Sequence, residues 1–90
     1  MSQRLLRVSQ ILTEKVRVGR SSFYSGVSRG LWPSPVRISA RCSAWPEEEI
    51  DEILRARVAG ASDAAIRHLV EDIHARRGRS YLSQPEGQRS

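Results

Sequence analysis

"VRVGRSSFYSGVSRGLWPSPVRI", residues 16–38, holds a short helix-forming stretch that glycine weakens and two prolines must end. At helical spacing Phe23 and Val27 share one face, while Ser21, Tyr24, Ser25 and Ser28 project from the other. A helix over about residues 20–29 is expected, with Gly30 as its stop. A helix that short does not hold its shape alone. Gly26 costs it about 1 kcal/mol relative to alanine, so burial of Phe23 and Val27 must offset the loss. Small residues at 25, 26 and 28 also let the backbone approach a second surface, either a nucleic acid or a neighbouring helix. Pro33 and Pro35 then force an extended path into an edge strand. "VRI" and "CSAW", separated by "SAR", read as a β-hairpin with Arg37 and Arg41 on its rim.

Upstream, "RLLRV" is a short extended piece, and Ser9 is placed to cap a helix over "QILTEK" whose Ile11 and Leu12 face a core. "VRV" makes the turn into the second helix. Downstream, Pro46 stands at a first helical position, followed by Glu47, Glu48 and Glu49, where the helix dipole favours carboxylates. Ile50, Ile53, Leu54 and Val58 form an apolar stripe that Gly60 ends. Ser62 can cap a last helix with a second stripe of Ile66, Leu69, Val70 and Ile73, closed by Arg76, Arg77 and Gly78. The resulting order is strand, helix, turn, helix, hairpin, helix, helix. This is a mainly α fold with a small β-hairpin: a winged helix-turn-helix over residues 1–58, a C-terminal helix over 61–78 and a flexible tail over 79–90. The C-terminal helix is expected to fold back on the domain, with self-association as the second reading.

Ninety residues with 39% hydrophobic content support one modest core. Cys42 has no second cysteine to pair with, so an intracellular setting is the simpler reading. No apolar run is long enough to span a membrane, and "MSQRLLRVSQ" lacks the apolar centre of a secretory signal, so a cytoplasmic protein is expected. Charge is distributed unevenly. Residues 1–45 hold eight basic residues against one acid, and residues 46–90 hold seven against nine. That asymmetry is the footprint of a protein that meets a polyanion. Fourteen of the fifteen basic residues are arginine, whose planar fork suits phosphates and guanine edges. A genome rich in G and C is the other source of that bias.

Two helices followed by a two-stranded wing suit the DNA major groove and the adjoining backbone. The candidate contact set is Arg17, Arg20, Ser21, Ser22, Tyr24, Ser25 and Arg29 around the second helix, with Arg37 and Arg41 on the wing. An amphipathic surface helix and a solvated hairpin rim are the plain alternatives. Trp32 and Trp45 read as core pieces flanking the wing. The acids from Glu47 to Glu52 are explained by their place at a helix start. His68 and His74, six apart, fall on different sides of a helix, and Cys42 has no nearby companion, so no metal, cofactor or catalytic site is expected.

"RLLRVSQIL", "GRSSFY", "RGLWPSPVRI" and "AWPEEEIDEILRAR" resemble, in order and spacing, the AlpA family of prophage-type regulators over residues 4–58. "GASDAAIRHLVEDIHARR" resembles a C-terminal helix found on some members. The resemblance implies a winged helix-turn-helix related to excisionases and MerR-like regulators, double-stranded DNA as partner, and a transcriptional role in a prophage or mobile element. It leaves integrase, RNA polymerase and a homodimer or cooperative DNA-bound oligomer as further partners. An excisionase-like architectural factor is the alternative within the class. Two departures fall on the DNA-facing part. Ser25 and Gly26 stand where the family carries a long or charged residue and then a bulky one, and the connection between the first two helices is one residue longer. Ser25 and Gly26 motivate the alternative of another class, a protein-interaction adaptor.

Overall fold

The computed structural model describes residues 4–82. Strand β1 (Leu5–Leu6) leads into a helix that starts α-wound, α1 (Val8–Gln10), and continues π-wound over Ile11–Lys15. Then come α2 (Arg20–Ser28), the wing strands β2 (Val36–Ser39) and β3 (Cys42–Pro46), and helices α3 (Glu47–Val58) and α4 (Asp63–Leu82). The fold is mostly helical with one small antiparallel sheet of strand order β1-β3-β2, a winged-helix arrangement. The expected element order holds. The sheet has one strand more than a hairpin, because Leu5 pairs with Pro46 and Leu6 with Trp45.

Several boundaries differ from the sequence reading, each for a local reason. Ser9 lies inside the first helix and does not cap it. Arg7 is the N-cap, and its N–H donates to Gln10 Oε1 at 2.9 Å. The π-wound turn closes with Val16 N donating to Ile11 O at 2.9 Å. That winding is how a helix takes in a residue beyond its α register. Pro46 is the last strand residue and the N-cap of α3, with ψ 130°, so the helix starts one residue later than expected. Gly78 does not close α4, which runs on to Leu82. The remainder of the expected tail lies outside the described residues.

Two clusters share one core. Leu6, Ile11, Phe23, Trp45 and Ile50 form the first; Leu31, Ile53, Ile66, Val70 and Ile73 form the second. Trp32 packs against both. Each fully buried large apolar side chain contributes on the order of 1.5–3 kcal/mol, and together these offset the entropy of ordering short elements. Val58 departs from its expected stripe and is 88% exposed.

Helices α2 and α3 end alike. Leu31 N donates to Gly26 O at 2.8 Å with Gly30 at φ 80°, and Ala61 N donates to Ala56 O at 3.0 Å with Gly60 at φ 94°. Both are the glycine-dependent termination in which a left-handed residue returns the chain across the last turn. The first helix is tied to α3 by Lys15, which donates to Glu47 at 2.9 Å and Asp51 at 3.0 Å. Those hydrogen bonds, from Glu47 first, raise the ammonium above its ordinary value.

Candidate nucleic-acid interface

Helix α2 begins after Gly19, whose extended backbone forms an N-cap without a side-chain hydrogen bond, so neither Ser21 nor Ser22 is used as a cap. At about 100° per residue, Phe23, Gly26 and Val27 point inward. Phe23 and Gly26 are buried, and Val27 is half-buried. Ser21, Ser25 and Ser28 therefore form the middle of the outward face. Arg20 and Tyr24 flank it on one side, Ser22 and Arg29 on the other, and all of them are exposed.

Gly26 answers the question its place in the helix raises. A Cβ there would lie 2.7 Å from Trp32 Cδ1. The surface that needs the small residue is the chain's own indole, not a ligand or a second helix. Trp32 lies tilted against Phe23 at 5.4 Å between ring centroids.

The wing is anchored to this helix through aromatic packing. Trp45 of β3 meets Phe23 edge-on at 5.3 Å and Tyr24 at 6.1 Å, and its indole N–H donates to Pro33 O at 2.7 Å. Aromatic pairs of this kind contribute about 0.5–1.5 kcal/mol each beyond their buried area. Tyr24 is 43% exposed, so one ring both packs on the wing's root and borders the outward face. Arg37 pairs across the ladder with Ser43, and Arg41 sits in the hairpin turn; both are exposed. Arg17 is exposed in the connection before α2. Thus Arg20, Ser21, Ser22, Tyr24, Ser25 and Arg29 share one helix and its end, while Arg37 and Arg41 stand on a strand and turn joined to it through Trp45.

Ion pairing sorts the basic residues. Among the described residues Arg4, Lys15, Arg57, Arg76 and Arg77 pair with carboxylates, whereas Arg17, Arg20, Arg29, Arg37 and Arg41 pair with none, and neither do Arg7, Arg55 and Arg67. Four carboxylates of α3 are spent in such pairs: Glu47 and Asp51 on Lys15, Glu52 on Arg76 and Glu49 on Arg77. Arg57 holds Asp63 at 2.9 Å and draws that carboxyl below its usual value, with Arg67 and Arg29 adding weaker attraction. Guanidinium groups without a protein carboxylate keep their charge available to an outside anion. Among the described residues no cluster of His, Cys, Asp and Glu is arranged to hold a metal ion, and no helix is long and apolar enough to cross a membrane.

The sequence reading placed Ser28 on the outward face but left it out of the contact set, although it is exposed there as Ser21 and Ser25 are, and it missed two contributors. Arg67 donates through Nε to Arg29 O at 3.1 Å, and His74 Nε2 accepts the Ser34 N–H at 3.0 Å. Nothing local marks these two, because each reaches a partner 38 or 40 residues away.

Compared with known proteins, residues 4–58 match the family model described as prophage CP4-57 regulatory protein (AlpA). No curated protein and no solved structure matches the chain.

Proposed function

The chain belongs to the AlpA family of prophage regulatory proteins, and from that premise we propose that it is a sequence-specific regulator that binds double-stranded DNA without catalysis. Helix α2 enters the major groove, with Ser21, Ser25 and Ser28 toward base edges and Arg20, Arg29 and Arg17 toward phosphates. Arg37 and Arg41 of the wing take the flanking backbone. The observation that carries this reading is the segregation of charge. The five arginines around α2 and the wing pair with no described carboxylate, while the acids of α3 and α4 that form ion pairs do so with Arg4, Lys15, Arg57, Arg76 and Arg77.

The adaptor reading loses half of its motive, because Gly26 is buried beneath Trp32 and so is not part of an outward surface at all. Titration against genomic DNA fragments at two salt concentrations tests the proposal: saturable binding that weakens steeply with salt is expected, and none would remove it. Sequencing the DNA retained in a pull-down then distinguishes a single promoter-proximal operator from the adjacent sites that an excision factor would occupy.

A further inference from the structure

The seven residues from Arg29 to Pro35 connect α2 to the wing, and α4 grips them at both ends. At the start, Arg67 donates to Arg29 O at 3.1 Å, and its stem lies 3.5 Å from where a Cβ of Gly30 would be. At the far end, the Ser34 N–H donates to His74 Nε2 at 3.0 Å, and Ser34 O accepts from Arg77 Nη2 at 2.9 Å. Arg77 is itself held by Glu49 of α3, Nε to Oε2 at 3.0 Å. Between the two grips Leu31 is buried against Ile66, Val70 and Ile73. Arg67, His74 and Arg77 are spaced seven and three residues apart, so one side of α4 carries all three. The family match ends at residue 58, and α4 begins at Asp63, so this grip comes from beyond the matched span.

We propose that Arg67, His74 and Arg77 are positioning residues for DNA binding: through the linker they set α2 and the wing at the relative placement in which both reach one duplex. The inference rests on the DNA-binding reading above. His74 makes the grip conditional on pH, since Nε2 accepts a hydrogen bond only while unprotonated, and a proton there would face an N–H with another donor. The charged groups facing it are Arg77 on its own helix and Glu49 on α3. Burial and Arg77 hold the imidazole below its ordinary value, with Glu49 acting the other way. Lowering pH therefore loosens the linker, opposite to the usual strengthening of DNA binding when histidines gain charge.

The test measures binding of the full chain to a short, labelled, mixed-sequence duplex as a function of salt, at about pH 7.5 and pH 5.5, with circular dichroism at each pH. For the wild type, affinity is expected to fall roughly tenfold at the lower pH, and the salt slope to lose about two phosphates as the wing disengages. His74→Gln supplies a non-titrating acceptor and should keep affinity within about twofold across that range. Arg67→Ala combined with Arg77→Ala should reproduce the shallow slope already at pH 7.5. If the wild type shows no saturable, salt-dependent binding, the DNA reading itself fails. If the wild type binds but His74→Gln follows its pH profile, the positioning role is overturned while the DNA reading stands. A folded double arginine variant with an unchanged slope would overturn it in the same way.

Discussion

At the residue scale, Gly26 shows how one position can be misread in both directions. In sequence it is a helix weakener next to the serines of the outward face. In the fold its missing side chain is the space that Trp32 occupies. Gly26→Ala gains the intrinsic helix preference of alanine, about 1 kcal/mol, but forces the indole of a packed cluster aside, which costs typically 1–3 kcal/mol. The expected outcome is net destabilisation of up to about 2 kcal/mol, with a changed tryptophan emission, measured by urea unfolding. Gly19→Ser is the matching control. A Cβ there meets nothing within 4 Å, and the N-cap gains a hydroxyl acceptor, so stability should rise by a few tenths of a kcal/mol. Ser25, by contrast, was legible from spacing alone, since it is exposed on the face its period assigns.

At the scale of elements, helix periodicity located α2, α3 and α4 and named nearly all of their buried residues. It failed at Val58. Eight residues after Ile50 the stripe has rotated about 80°, onto the side of the exposed Arg55. Replacing Val58 with Ser should therefore change stability by less than about 0.5 kcal/mol, whereas Ile73→Ala, at a position only 1% exposed, should cost about 2–5 kcal/mol in the same unfolding experiment. The packing of α4 also has a pH dependence whose sign is fixed by His74. Its folded-state value lies below the ordinary 6.5, first because of burial and then because of Arg77. The unfolded chain thus takes up a proton near 6.5, before the folded chain does. Stability from this group is complete above that pH and is lost as pH falls toward the folded value. Denaturation midpoints taken from neutral pH downward should decline over that window, and His74→Gln should flatten this part of the decline.

At the scale of the whole molecule, what matters is where charges end up. Five arginines without described carboxylate partners, each placed on a phosphate, would give a salt slope of about −4 to −5 in log affinity against log salt. Arg20→Ala should reduce that slope by about one and weaken binding to all sequences alike if Arg20 meets a phosphate. If it meets a guanine edge, the loss would instead concentrate on one position of the site. Anisotropy titrations across a salt series separate the two outcomes.

The sequence by itself determined the order of elements, the identity of the outward face and the excess of arginine in the first half, because helix period, proline placement and charge are local properties. It also carried the family resemblance that the match over residues 4–58 bears out. Only the tertiary structure decided that β1 completes the wing sheet and that Trp32 fills the space at Gly26. It alone decided, too, that α4 holds the linker through Arg67, His74 and Arg77. Those pairings close long loops, and their partners are chosen by shape and by which buried backbone groups remain to be satisfied. No spacing along the chain encodes that choice.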